Sequence, residues 1–264
     1  KGADADTATW ITFATGGLDI TFDDDGRPIR PPSGAVATRV AWLLLRMLAL
    51  SVWSSASEPA SGYPFTALLT PDSSQEGKLL AMTLDHVVIH LVLIWLFLSF
   101  AFDFAAVLLL AQGFQPIEGF DNPVFTSTSA RIFWGKRWNL QVTTSFKRCV
   151  FTPLQRIGLP PTLAALITFI SSGLFHEYQF LLSFPTYTLG RISIFFVLHG
   201  LLCAADALFS KAFGKKHLAT MPWQLKAACI PLLYSPTMPL FSSIWIEEGF
   251  FTLISRLGFL FTFK

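Results

Sequence analysis

The chain has 264 residues, of which 52% are hydrophobic and 14% are charged, and its mean hydropathy is +0.53. These values exclude an ordinary soluble globular domain and indicate a protein embedded in a membrane. The net charge of +2 gives no reason to expect nucleic acid as a partner. The three cysteines are widely spaced in apolar surroundings, and they predict neither a disulfide framework nor a metal site.

Residues 1–34 form a polar leader that contains two turn signals, Asp-Gly-Arg-Pro and Arg-Pro-Pro. The leader lacks the apolar core of a cleavable signal peptide. Because the first residue is Lys1 rather than Met, we expect the chain to be a fragment whose earlier membrane spans are missing. The remaining residues, 35–264, are expected to form one transmembrane domain.

Six apolar runs follow the leader, and several have the roughly 20-residue length that a membrane-spanning helix needs. They occupy residues 35–53, 84–112, 161–183, 190–210, 225–245 and 249–261. The pattern predicts an all-α, multi-pass transmembrane bundle with five or six crossings. In the first run, Arg39 is expected to reach the interface, whereas Arg46 lies near mid-depth and needs a partner. In the fifth run, Pro231, Pro236 and Pro239 predict a kink or a break.

The segment between the second and third runs is polar, aromatic and basic. Between residues 122 and 176 it contains six basic residues and no acidic one. They are Arg131, Lys136, Arg137, Lys147, Arg148 and Arg156. Basic loops favour the cytosolic side of a membrane. We therefore expect this segment in the cytosol, the uncharged loop at 184–189 in the lumen, and the lysines after the fourth run in the cytosol again.

The third run carries polar side chains at spacings of three or four residues, which places them on one stripe of a helix. They are Thr168, Ser172, His176, Gln179 and Ser183. An ionisable group such as His176 is costly at membrane depth unless it faces a polar interior, so we consider it a functional residue. The alternative is a histidine that only hydrogen-bonds neighbouring helices. Glu177 lies beside the stripe, where it either orients a neighbouring group or pairs with Arg46.

A second informative segment, residues 133–139, reads Phe-Trp-Gly-Lys-Arg-Trp-Asn. If it is helical, Trp134 and Trp138 share one face, as do Gly135 and Asn139. One interpretation is a helix at the bilayer interface, anchored by tryptophans and cations. The other is a ligand site, in which Asn139 offers a carboxamide beside a glycine and the basic residues hold a phosphate-bearing ligand.

Two further sets of histidines carry weaker predictions. His199, Cys203 and Asp206 form a second stripe, in which His199 either bonds a neighbouring helix or contacts a substrate in the same cavity. His86 and His90 are spaced like a pair of metal ligands, but only one acidic residue is near them. We therefore favour packing at the membrane interface for that pair.

Two motifs in this order make the sequence recognisable. Phe-Trp-Gly-Lys-Arg-Trp-Asn-Leu at 133–140, followed by Ser-Gly-Leu-Phe-His-Glu at 172–177, resembles the wax synthase branch of the membrane-bound O-acyltransferases, especially its plant members. The resemblance continues into Phe-Val-Leu-His-Gly at 196–200 and the acidic Asp206, and it covers residues 122–210. Lys136 departs from the arginine usual in the family, which keeps the charge but loses a bidentate phosphate contact.

The resemblance implies transfer of an acyl group from acyl-CoA to the hydroxyl of a long-chain alcohol. A wax ester would form in an intramembrane tunnel of the endoplasmic reticulum membrane, among membrane lipids, with acyl-CoA as co-substrate and no cofactor. The family's catalytic residues match His176 as general base and Asn139 as the amide that orients the thioester or stabilises the oxyanion. The chemistry agrees, because neutral imidazole accepts protons near pH 7 and a carboxamide N–H stabilises negative oxygen. The predicted substrate-binding residues are Trp134, Lys136, Arg137, Trp138, Gln179 and His199.

Other functions are compatible with parts of this pattern. Diacylglycerol or a sterol is an alternative acceptor, because an apolar tunnel discriminates alkyl chains weakly. A transporter would also place histidine and glutamate in a membrane helix, but it predicts repeated halves, which the sequence lacks. A lipid-binding membrane protein would keep the cavity without the chemistry.

Overall fold

The computed structural model describes residues 19–213 and 233–252, together with residues 222 and 224. Across these residues the named elements are all helical, and strand-like pairing is limited to isolated bridges such as Ile20 to Pro116. The all-α prediction is therefore confirmed. Most of the run predicted at 249–261, and the first part of the run at 225–245, lie outside the described residues.

The α-helices are numbered here in chain order. They are α1 (Ala35–Ser57), α2 (Gln75–Ala111), α3 (Pro123–Thr126), α4 (Ala130–Ile132), α5 (Leu140–Phe146), α6 (Thr152–Arg156), α7 (Pro161–Ser183), α8 (Arg191–Phe213) and α9 (Met238–Glu247). Helix α2 is one continuous rod that contains a π-helical turn at Asp85–His90. Further π-helical turns lie at Phe133–Arg137 and Lys147–Phe151. The segment between the second and third apolar runs is thus built from short helices.

Three of the described helices are long and apolar enough to cross a membrane, by length and composition: Ala35–Ala60, Gln75–Ala111 and Arg191–Ala212. The chain is accordingly an integral membrane protein. Helix α7 has 23 residues and the bounds predicted from the sequence. It is not one of the three, because the serine, histidine and glutamate side chains in its second half lower its hydropathy. The count of five or six crossings stays a prediction.

Helices α7 and α8 pack side by side in opposite directions. Glycines in both helices permit this close approach. A Cβ added at Gly173 of α7 would lie 3.1 Å from the Cα of Ser193, and one added at Gly200 of α8 would lie 2.9 Å from the Cβ of Phe169. The contact holds the second half of α7, which carries the Ser-Gly-Leu-Phe-His-Glu motif, against the first half of α8.

Helix α1 packs along α2, and a buried carboxylate joins them. Asp103 of α2 is 0% exposed and accepts hydrogen bonds from Arg39 and Arg46 of α1. The partner predicted for Arg46 is therefore confirmed. The expectation that Arg39 reaches the interface stays a prediction, and the structure adds that Arg39 also pairs with Glu118. In a low dielectric, a buried carboxylate attracts both guanidinium groups more strongly than at the surface.

One end of the bundle gathers the leader, the end of α2 and the basic segment. Asp19 pairs with Arg148 at 3.0 Å, and its backbone N–H donates to Oε1 of Gln141. Ile20 is buried and bridges to Pro116. The described end of the polar leader thus packs on the segment after α2, where its negative charge meets the positive charge of that segment.

Candidate functional site

The His176 imidazole is held by a hydrogen bond within its own helix. Its Nδ1 lies 2.7 Å from the backbone oxygen of Ser172, one turn earlier in α7. A carbonyl oxygen only accepts hydrogen bonds, so Nδ1 must carry the proton and donate it. The neutral ring then has its lone pair on Nε2, which makes Nε2 the atom able to accept a proton from a substrate.

Aromatic rings surround the partly exposed His176 ring. Phe196 of α8 stacks on it, with ring centroids 4.6 Å apart and an interplanar angle of 29°. Phe175 and Phe241 lie at 5.6 and 6.5 Å. The hydrogen bond described for His176 stays within α7, so the alternative of a histidine that only bonds neighbouring helices has no support here.

The predicted polar stripe of α7 does not face one interior. Ser172 is buried, and the hydroxyl of Thr168 donates to the backbone oxygen of Ala164. Gln179 and Ser183 are exposed. The stripe therefore runs from the packed interior to the outer surface of the described chain, where Gln179 lies. Side chains of α8 cover the stripe near its start but not near its end. The spacing of polar residues in the sequence does not show which part of a stripe a neighbouring helix covers.

Glu177 faces a different side of α7 from His176 and is 6% exposed. Its carboxylate accepts hydrogen bonds from the backbone N–H groups of Gly190 and Ser193 and from the hydroxyl of Tyr187. Burial and the bond to Glu177 raise the pKa of Tyr187, so the phenol stays a donor at neutral pH. The prediction that Glu177 pairs with Arg46 is wrong, whereas its other predicted role, to orient a neighbouring group, agrees with these bonds to the start of α8.

The segment 133–139 is not one regular helix. The π-helical turn ends at Arg137, and Trp138 is extended with φ −94° and ψ 127°. Trp138 is 7% exposed and stacks on Phe133 at 5.3 Å. The segment therefore lacks the regular helix on which the predicted shared faces depended, although the rings of Trp134 and Trp138 still contact each other with centroids 6.4 Å apart. The interpretation as an anchor at the bilayer surface also fails for Trp138, because apolar side chains of the bundle bury it.

Asn139 begins α5 with a left-handed backbone, φ 44° and ψ 62°. Asparagine tolerates this conformation better than most residues. Its Oδ1 accepts a hydrogen bond from the backbone N–H of Val142 at 3.4 Å, which caps the helix. Because the oxygen faces the helix, the amide N–H₂ group is the part of the side chain left to donate to a ligand.

Trp134 and His176 both contact the ring of Phe196. Phe196 lies 5.9 Å from Trp134 and 4.6 Å from His176. No described hydrogen bond or ring contact joins Asn139 directly to His176. Each of the two motifs recognised in the sequence thus has a side chain in contact with Phe196, whereas the described contacts do not join the amide to the imidazole.

Half of the basic residues in this segment are paired with acids from elsewhere in the chain. Arg137 pairs with Asp121 at 3.0 Å, and Arg131 pairs with Asp206. With the bond from Arg148 to the leader, three of the six cations are neutralised, contrary to the prediction of an unopposed block. Lys136 is exposed and has no ion pair among the residues that the structure covers. Lys136 is therefore better placed than Arg137 to meet an anionic ligand.

The other three histidines that the structure describes, His86, His90 and His199, are inside the bundle. His199 is 0% exposed, and its Nε2 lies 2.9 Å from Oγ1 of Thr237. His86 and His90 are also buried, in the π-helical turn of α2, and their Nδ1 atoms lie 3.0 Å apart. The loop at Gly62 and helix α9 cover the pair, so it is packed inside the bundle, and its position at the membrane interface stays a prediction. Within the described ranges, no group of three or more His, Cys, Asp or Glu residues is arranged to hold a metal ion.

These features define an all-helical integral membrane protein with a tautomer-fixed histidine, stacked on a ring that also contacts Trp134 of the segment containing Asn139. Residues 118–198, which contain both, match the family model described as membrane bound O-acyl transferase family. The resemblance derived from the two motifs is thereby confirmed over this part of the chain.

Curated relatives point in the same direction. The chain is 36% identical over 89 residues to probable long-chain-alcohol O-fatty-acyltransferase 7 of Arabidopsis thaliana, covering 31% of this chain and 26% of the relative. It is 31% identical over 102 residues to the long-chain-alcohol O-fatty-acyltransferase of Simmondsia chinensis, covering 36% and 29%. It is 27% identical over 205 residues to probable long-chain-alcohol O-fatty-acyltransferase 1 of Arabidopsis thaliana, covering 75% and 54%. The chain thus spans between about a quarter and about half of the length of these relatives.

Proposed function

We propose that this chain carries the catalytic segment of an acyltransferase that moves a fatty acyl group from acyl-CoA to the hydroxyl of a long-chain alcohol. The similarity to proteins named for this activity supports the acceptor. The observation that carries the proposal is the hydrogen bond from Nδ1 of His176 to Ser172, because it leaves Nε2 unprotonated. The alternative acceptors are diacylglycerol and a sterol.

In the proposed reaction, Nε2 of His176 takes the proton of the alcohol as its oxygen attacks the thioester carbonyl. The C–O bond forms, the carbonyl electrons move onto oxygen, and the amide N–H of Asn139 stabilises that charge. When the tetrahedral intermediate collapses, the C–S bond breaks and CoA leaves as thiolate. The proton on His176 then neutralises the thiolate, so base and leaving group are both restored without a metal or redox step.

Bringing the amide and the imidazole to one substrate requires the thioester to lie between them, beside the Phe196 ring. Lys136 would hold a CoA phosphate at the basic end of the bundle. Arg137 would bind a CoA phosphate only after its ion pair with Asp121 is broken. This end holds the segment predicted to be cytosolic, and we place the site in the endoplasmic reticulum membrane.

The test measures CoA thiol release by purified protein given acyl-CoA, with and without acceptor. Long-chain alcohol, diacylglycerol and a sterol form the panel of acceptors, and an alkane of matched length is the control. We expect release that depends on the long-chain alcohol, with the matching ester as product. Release with diacylglycerol or the sterol alone would replace the proposed acceptor. Because the relatives are longer, a relative named for this activity is assayed beside this chain as a positive control; release by the relative but not by this chain would contradict the proposed function.

A further inference from the structure

Three aromatic side chains from separate parts of the chain meet beside α8. Trp134 comes from the π-helical turn at Phe133–Arg137, His199 from α8 and Tyr234 from the turn before α9. The ring centroids are 4.4 Å apart for His199 and Tyr234, 5.3 Å for Trp134 and His199, and 6.3 Å for Trp134 and Tyr234. His199 is 0% and Tyr234 is 2% exposed. We call this set the Trp134–His199–Tyr234 group.

The hydrogen bonds around Thr237 fix the tautomer of His199. The Thr237 hydroxyl donates its one hydrogen to the backbone oxygen of Tyr234 at 2.9 Å. The hydroxyl oxygen of Thr237 lies 2.9 Å from Nε2 of His199, and because its hydrogen is already used, it must accept from an Nε2–H group. Neutral His199 therefore has its lone pair on Nδ1, the nitrogen on the other side of the ring.

Each ring of the group has a buried polar atom that lacks a hydrogen-bond partner. By strict hydrogen-bond geometry, no partner among the residues described is found for Nδ1 of His199, the hydroxyl of Tyr234 or Nε1 of Trp134, although the last two lie near enough to attract each other. A buried polar group without a hydrogen-bond partner destabilises the folded state. Three of them in mutually contacting rings indicate a missing partner rather than a chance defect.

The chemistry of the three atoms restricts what that partner is. Nδ1 of His199 only accepts a hydrogen bond, and Nε1–H of Trp134 only donates one, while the Tyr234 hydroxyl also has a hydrogen to donate. A carbonyl or carboxylate oxygen would leave Nδ1 unsatisfied, and an ammonium group would leave the indole unsatisfied. A neutral hydroxyl both donates and accepts at one atom. We propose that the Trp134–His199–Tyr234 group binds a hydroxyl group, supplied by a lipid alcohol or by a water molecule.

This site is separate from the proposed general base. The packing of Gly173 on Phe196 and of Gly200 on Phe169 places His199 beside an earlier part of α7 than His176. Seven residues separate Phe169 from His176, or roughly 10 Å of helix at 1.5 Å per residue. A hydroxyl bound at His199 is therefore not the one that His176 deprotonates. The inference stands whether or not the chain transfers acyl groups.

Nitrogen-15 NMR of the full chain labelled at histidine tests the site, with the His199 signals assigned by their loss in His199→Gln. An unprotonated ring nitrogen changes its chemical shift when it accepts a hydrogen bond. A hydrogen-bonded Nδ1 in alcohol-free protein would identify water as the ligand. A change that appears only on adding hexadecanol, and not hexadecane, would identify the lipid alcohol. A free Nδ1 under both conditions would overturn the inference.

Tyr234→Phe is the matched variant, because it keeps the ring and removes only the phenolic oxygen. One neutral hydrogen bond contributes about 1 kcal/mol, which corresponds to about fivefold in affinity. If the lipid alcohol is the ligand, we expect hexadecanol to bind Tyr234→Phe about fivefold more weakly than the wild type. If water is the ligand, we expect the chemical shift of His199 Nδ1 in Tyr234→Phe to move towards that of a nitrogen without a hydrogen bond. An Nδ1 signal and an alcohol affinity both unchanged in Tyr234→Phe would contradict the three-atom site.

Discussion

His176 and Glu177 are adjacent in the sequence, but they lie on different sides of α7 and in different chemical surroundings. The carboxylate of Glu177 is buried and accepts three hydrogen bonds from the protein, two of them from backbone N–H groups at the start of α8. The imidazole of His176 uses one nitrogen within its own helix and lies partly exposed among aromatic rings. A group whose hydrogen-bonding capacity is already filled holds structure, whereas a group with a fixed, unused lone pair can do chemistry.

The largest effect is expected for His176→Ala. It removes the proposed proton acceptor and leaves a good helix former in α7, so the fold should persist. General-base catalysis contributes about 10²–10⁴-fold, and we expect kcat to fall by about that factor. The measurement is kcat from CoA thiol release at matched amounts of folded protein. Near-normal turnover with both substrates saturating would show that the lone pair on Nε2 has no catalytic role.

Asn139→Asp separates capping from catalysis. Aspartate caps a helix as well as asparagine does, so the start of α5 should be kept. It replaces the amide N–H group with a negative oxygen, which repels a developing oxyanion. Loss of one oxyanion donor costs about 10²–10³-fold, and kcat should fall by about that factor with little change in thermal stability. A large loss of stability with unchanged kcat per folded molecule would mean that Asn139 acts only as a cap.

Glu177→Ala should produce the opposite outcome to His176→Ala. It leaves two backbone N–H groups and the Tyr187 hydroxyl without an acceptor, so we expect the free energy of unfolding to fall by about 2 kcal/mol or more. Glu177→Gln retains one acceptor oxygen and should lose less. Thermal denaturation in detergent measures the change, and kcat per folded molecule should fall less than tenfold. If Glu177→Gln lost activity as fully as His176→Ala, the division between the two residues would be wrong.

The smallest effect concerns the exposed Lys136. Exposed ion pairs contribute about 0.2–1 kcal/mol, so Lys136→Gln should raise KM for acyl-CoA about two- to fivefold and leave KM for the alcohol unchanged. Lys78→Gln is the matched control. Lys78 is also exposed, but it lies near the start of α2, whereas the basic segment with Lys136 packs near the end of α2. Equal changes in both KM values, or the same change in the control, would remove Lys136 from acyl-CoA binding.

The sequence predicted features that depend on local pattern and composition. The length of its apolar run predicted α7, and the cost of burying a charge predicted that Arg46 has a partner. The same reasoning found the His176 position but not its tautomer. Motif and spacing identified Asn139, because an amide beside a basic aromatic segment is visible without coordinates.

Features that depend on distant residues could not be predicted in this way. The partners of Glu177 lie in the loop after α7 and at the start of α8, and the acid that neutralises Arg148 lies in the leader. Tyr234 enters the Trp134–His199–Tyr234 group from a turn about 100 residues after Trp134. The π-helical turn before Trp138 replaces the regular helix on which the predicted faces of the tryptophans depended. Each of these depends on which helices pack together, which hydropathy does not specify.

The central claim is that neutral His176 accepts the proton of the alcohol, and the pH dependence of kcat/KM tests it most directly. Protonated imidazole cannot accept a proton, so kcat/KM in the wild-type chain should fall at acid pH with the uptake of one proton. Glu177→Gln should keep this dependence, and the residual activity of His176→Ala should lose it. The same acid limb in His176→Ala as in the wild type would contradict the account, because another group would then be the base.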